Sequence, residues 1–205
     1  MQNAVIKISA VLVVLIVTFS LMRLCSGQTY VDYGPGVVAP DAPVQTNLTG
    51  AEPFSFNDYT LTPMADFEVE ARVLASREYK RGREAELSPL DLALGWGDMS
   101  DVRVLRQIQI SQRNRFYFWN VDEFPIPRRQ IETQSANMHM IPANRDIERK
   151  MMLVQPGEVV RFSGKLVRAD AADGWRWVSS MTRDDTGSGA CELVYVEEFE
   201  FVTPR

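Results

Sequence analysis

Residues 4–24 constrain this chain more than any other stretch. Their centre, residues 8–22, is apolar except for Ser9, Thr18 and Ser20, with Lys7 just before it and Arg23 just after. That centre alone would reach only about 22 Å as a helix, short of the roughly 30 Å of hydrocarbon in a bilayer. The whole stretch reaches about 32 Å once Lys7 snorkels its ammonium to the headgroups. A transmembrane helix that holds the rest of the chain at a membrane is the first expectation. A cleaved signal peptide competes with it, because Cys25-Ser26-Gly27 offers small residues at a cut. Arg23, lying between the apolar run and that cut, favours the retained anchor. A lipoprotein site at Cys25 does not fit Met22, Arg23 and Leu24 before it. Positive charge at the amino end and at Lys7 orients the short N-terminus to the cytoplasm and the remainder outward.

Behind the anchor remains enough chain for one ordinary domain and a tether. A hydrophobic content of 45% with 24% charged residues describes a globular chain. Net charge is −5, and residues 101–150, with nine basic and six acidic side chains, lie between acidic stretches. Basic and acidic residues interleave there, as on a solvated surface, so nucleic acid is not an expected partner. Cys25 and Cys191 are the only cysteines, one beside the bilayer, so the outer domain depends on its core and not on a disulfide.

The organisation reads as an anchor over 1–27, a proline-rich extracytoplasmic tether over 28–64 and a β-rich domain over 65–205. Five prolines and three glycines break up residues 28–64, although Phe54 and Phe56 share one side of an extended chain and let that end dock on the domain. From Asp66 to Ala75, Phe67, Val69, Ala71 and Val73 alternate with charged residues, the mark of a half-buried strand. Residues 77–86 read as an exposed loop. Ser88 and Pro89 look like the cap and first residue of a short helix ended by Gly95. A second short helix follows Ser100 or Asp101. Residues 108–119 suggest two strands with a turn over 111–114. A helical turn is expected over 128–133, and a firmer helix from Asn144 to Leu153 with Ile147 and Met151 on one face. The last fifty residues read as a β-meander, with Gly164 and Glu197-Glu198 as irregular points. The fold class is α+β, mostly β: a small OB-like barrel or, second, a mixed α+β sandwich.

Candidate sites are few. His139 is the single histidine, a general base by type, and Cys191 the one nucleophile it would activate. No residue is assigned to catalysis on that basis, since lone histidines and strand-borne thiols are usually structural. Asp184 and Asp185 open a glycine-rich loop that suits a hard cation by composition but lacks the calcium-hand register. It reads first as a surface turn. Neither a zinc set nor a phosphate loop is present, and no cofactor is expected. Trp175 and Trp177 share one face of a hairpin, and Trp96 stands between two glycines. Together they offer aromatic surface for a binding partner.

The segments 95–101, 135–143 and 184–192 together resemble an uncharacterised family of small bacterial membrane-anchored envelope proteins, over roughly residues 67–202. The resemblance implies a bacterial source and assigns no activity and no functional residue. The expected function is thus that of a binding or assembly module at the bacterial inner membrane, single-pass with its domain in the periplasm and a protein partner in the envelope. The alternative is a thiol-dependent hydrolase or transferase using Cys191 and His139.

Overall fold

Alternation over residues 66–75 marks the middle of a longer strand. In the computed structural model, which describes residues 30–183 and 189–204, β3 spans Tyr59–Glu78. Ala65, Phe67, Val69, Ala71 and Val73 point from it into one buried core. Its pairing slips between Pro63 and Ala65 on one side and between Val73 and Ala75 on the other. Such bulges bend a strand. The bent strand therefore pairs antiparallel with β8 (Val159–Ala171) over Tyr59 to Arg72 and with β4 (Leu90–Gly95) from Arg72 onward.

The remaining pairings close the ring. β4 lies antiparallel to β7 (Ser135–Pro142), β7 runs parallel to β10 (Glu192–Val202), and β10 returns antiparallel along β8. The order β3-β4-β7-β10-β8 with β8 back on β3 is a five-stranded barrel. Short strands β1 (Val44–Asn47) and β2 (Phe54–Phe56) add to β3, and β9 (Arg176–Val178) adds to β8. The fold is thus mostly β, a sheet-rich α+β arrangement, as expected. β9 and β10 both pair with β8 and not with each other, so the last fifty residues are not a simple meander.

Helices cap and cover this barrel. Asn144 accepts hydrogen bonds from the amides of Asp146 and Ile147, starting α4 (Arg145–Met151), and Ile147, Met151 and Val154 join the barrel core. A 3-10 turn (Gly97–Ser100), α2 (Val102–Leu105), α3 (Arg128–Thr133) and the separate hairpin β5 (Gln109–Arg113) and β6 (Phe116–Asn120) lie between β4 and β7, while α1 (Arg83–Leu87) precedes β4. Leu74, Ala93, Met99, Ile108 and Ile131 form a second apolar layer outside β4. A third, with Tyr59, Leu61, Leu87, Ile141 and Leu193, lies under β2 and β9. Gly164 allows β8 to approach β10, for a Cβ there would meet Tyr195 O at 1.9 Å.

Two expectations are corrected here. Residues 88–95 are not a helix: Leu90–Gly95 is a strand with all six residues buried. Both of its faces are covered, so the period-2 signal is erased and Ser88-Pro89 mimics a cap. The segment read as a tether is also largely built into the body. β1, β2 and the start of β3 lie within it, with Phe54 and Phe56 edge-on to Tyr195 at 5.0 and 5.4 Å. Earlier still, residues 30–39 form a strap across one end of the barrel. Val31 N–H donates to Pro156 O at 2.9 Å, and Gly97 N–H to Ala39 O at 2.8 Å. Ser100 Oγ accepts from the amides of Val38 and Ala39, and Asp101 Oδ1 from Gly36. Arg103 on its carboxylate, aided by the Arg103 and Gly36 amides, holds Asp101 down to a pKa of about 2. Fully buried Arg72 donates to Ser100 O and Val31 O under the Tyr30 ring. Proline spacing hides these bonds because all their partners are distant in the chain.

No helix among the described residues is long and apolar enough to cross a membrane. The span expected over 4–24 lies outside the described residues, as do Asp184 and Asp185.

Arg72→Met removes both carbonyl contacts and leaves Val31 O and Ser100 O without their donor. Unfolding in urea should show a loss of about 3 kcal/mol, and proteolysis should cut first within residues 30–39.

Candidate functional site

The barrel wall made by β4 and β7 turns Leu92, Leu94, Met138 and Met140 inward. Strand alternation then sends Asp91, Asn137 and His139 outward, with Asp91 opposite His139 in register. On most barrels that face meets solvent. Here the β5–β6 hairpin folds over it, and Asp91, Asn137 and His139 are 1%, 4% and 4% exposed.

Arg115 at the hairpin turn makes this burial tolerable. Asn114 and Arg115 have φ of 52° and 68°, a tight reversal in which the second position normally favours glycine. Holding an arginine there costs roughly 1 kcal/mol. The turn aims its guanidinium at Asp91 Oδ1 (2.7 Å) and Ser88 O (2.9 Å), with Cζ over the Tyr79 ring at 3.7 Å. The Arg115 amide donates to the Tyr79 hydroxyl. His139 Nδ1 lies 2.9 Å from the same Asp91 oxygen, which as a carboxylate only accepts, so the ring proton sits on Nδ1. Asp91 Oδ2 is buried without a hydrogen-bond partner. Gln112 donates to Asn137 Oδ1, and Asn137 donates to Arg115 O. Tyr117 bonds Ser135 at 2.9 Å, and burial pushes its hydroxyl up to a pKa of about 12 against the pull of that bond.

The aromatic candidates complete the cover. Trp177 packs at a tilt against His139 at 4.7 Å, and Trp175 packs edge-to-face on Trp177 at 6.1 Å and against Tyr59 at 5.5 Å. The two indoles do share a face, but that face is turned onto the barrel and both are half-buried. Trp96 is 2% exposed and belongs to the barrel core, so it offers no contact surface. Its two flanking glycines fit a tight chain path around a core indole as well as an exposed loop.

Cys191 and His139 stand on the same outer face with different partners. Cys191 just precedes the residue paired with Met138, so it lies beside Asn137, one pleat from His139. Its Sγ is 3.8 Å from Arg115 O and from Asn137 Nδ2, whereas the imidazole is engaged by Asp91. Among the described residues no group of three or more metal-ligating side chains is found.

Cys191 opens into a cleft of about 260 Å³ between the hairpin and the barrel, lined by residues 116–119, 135–137 and 190–192 with Glu132 and Arg183. Four consecutive β6 residues line it, two from each face of the strand, and no β5 residue does. The cleft therefore runs along the edge of β6 that faces away from β5. Fully buried Glu192 at its floor has Arg183 Nε 3.8 Å away. A broader hollow of about 430 Å³ near Lys150 and Glu200 is walled mainly by charges, among them Arg161 bonded to Glu200.

No family model, curated protein or solved structure matches the chain.

Sequence reasoning missed Asp91, Arg115, Asn137 and Gln112. One signal was available: a lone aspartate inside the apolar run Leu90–Gly95 demands a cationic partner if that run is buried. Arg115→Met should destabilise the fold by about 3–5 kcal/mol, because Asp91 keeps its burial and loses its cation. The double variant Asp91→Leu/Arg115→Met should recover much of that loss in a denaturation cycle.

Proposed function

We propose that this chain is an envelope binding module that takes an extended segment of a protein partner along the free edge of β6. The observation that carries the reading is the cleft: it follows that edge, and β6 has only β5 as a strand partner among the described residues. An added strand would find a β6 edge that no other described strand occupies, and aromatic surface for alternate side chains. Phe116 and Phe118 are 38% and 39% exposed beside it, large apolar rings left in water in this structure.

We further read the barrel as OB-type. Five strands in this order, one parallel pair, and a helix between the third and fourth barrel strands support that class over a sandwich. OB barrels commonly bind across the second and third strands and the neighbouring loops. In this chain those strands are β4 and β7, already covered by the hairpin. Binding at the hairpin's own edge is the arrangement that leaves the buried Asp91 cluster intact. The apolar run over 4–24 supports a place at the bacterial inner membrane with the body in the periplasm, where the partner would be another envelope protein.

Peptides selected by random display on the full chain test this. Phe116→Ser and Phe118→Ser should weaken binding about tenfold, as loss of one anchoring ring does, while Val178→Ser does not. Bound peptide should also slow alkylation of Cys191. Selected peptides indifferent to both phenylalanines would sink the reading.

A second reading keeps Cys191 as the nucleophile of a hydrolase or transferase. It is favoured by the Asp91–His139 hydrogen bond, which orients an imidazole one pleat from a thiol that opens into a cleft. Under it, Cys191 alkylates rapidly at neutral pH and His139→Gln slows the reaction. An ordinary thiol rate that ignores His139 removes it.

A further inference from the structure

The strap over residues 30–39 bears on how far the body can stand from a membrane. We infer that one end of the barrel rests on the lipid headgroups through the strap and the neighbouring Leu153, a conclusion that depends on the anchored reading above. Only residues 25–29 separate the end of the apolar stretch from Tyr30. Fully extended, they reach about 20 Å. A body of this length has a radius of gyration of about 16 Å, so the available slack is smaller than the body's own width.

From Tyr30 onward the chain has no freedom to lengthen that reach. Val31 is held by Pro156 O through its amide and by Arg72 through its carbonyl. Gly157 makes room for this crossing, since a Cβ there would lie 2.0 Å from Val31 O. Farther along, the Gly36 amide is held by Asp101 and the Ala39 carbonyl by Gly97. A chain anchored at residue 24 must therefore present this end of the barrel first.

That end carries the side chains such a contact needs. Tyr30, Tyr33 and Val37 on the strap are 44%, 37% and 44% exposed. Leu153 is 67% exposed, close behind α4 and three residues from the Pro156 that holds the strap. Tyrosines suit the headgroup layer, with an apolar ring and a hydroxyl that stays wet. Exposed leucine and valine beside them gain from partial removal from water.

The test uses the full chain with Cys25→Ser and Cys191→Ser, and one new cysteine at Tyr33, Leu153 or Ala172. Ala172 is exposed just past the far end of the 13-residue strand β8, whose first residue lies near the strap. Each variant carries an environment-sensitive fluorophore and is reconstituted into phosphatidylcholine vesicles containing a headgroup-nitroxide lipid. Labels at positions 33 and 153 should lose most of their fluorescence while the label at 172 keeps most of its own. Equal quenching at all three, with the chain retained in the vesicles, overturns the membrane-facing end alone. Release of the chain by alkaline carbonate, or a mature mass lacking the N-terminal stretch, overturns the anchored reading and this inference together.

Discussion

Closure of the barrel depends on β3 having different neighbours along its two halves. Backbone amides and carbonyls taken from water need partners, and a sheet curled into a ring supplies them without leaving edges. A straight strand of twenty residues would run past its neighbours. The two irregularities in β3 turn it from β8 onto β4 and so bring the first and last parts of the ring together. Everything packed outside the wall, including the strap and the hairpin, takes its position from that turn.

Covering β4 with the hairpin exchanges a solvated face for an interior one that contains charge. The arrangement holds because a single turn of chain meets several of these polar groups, although Asp91 Oδ2 and Gln112 Oε1 stay without a hydrogen-bond partner. Arg115 serves Asp91 with its side chain, Tyr79 with its amide, and Asn137 and Cys191 with its carbonyl. An apolar hairpin would cover the wall in several alignments of similar energy. A guanidinium that must reach one carboxylate selects one of them, the best-attested service of buried polar pairs.

Much of this was legible in the residues where one face is wet and the other dry. Phe67 to Val73, the two strands of the hairpin (though its turn lies at Asn114-Arg115 and not over 111–114), the cap at Asn144 and the irregularity at Glu197-Glu198 follow from alternation, capping chemistry or a break in pattern. β4 and β7 were not legible, because strands covered on both sides lose the period that identifies them. The strap escaped notice for another reason. Its attachments are hydrogen bonds to Arg72, Ser100 and Asp101 and to the backbone of Gly97 and Pro156, all more than forty residues away in the chain, and proline spacing carries no trace of them. Of the candidate side chains, Cys191 and His139 do share a wall, whereas Trp96 was misjudged because flanking glycines accompany core aromatics as readily as exposed ones.

The final strand closes the ring, since β10 lies between β7 and β8 and pairs with no other barrel strand. Until β10 is available, the nascent sheet has two open borders, one on each strand that β10 will join. Such borders recruit other extended chains. Synthesis from the N-terminus thus leaves the barrel unsealed until Glu192–Val202 has been made, and a truncation before Glu192 would yield a sticky open sheet and not a smaller barrel.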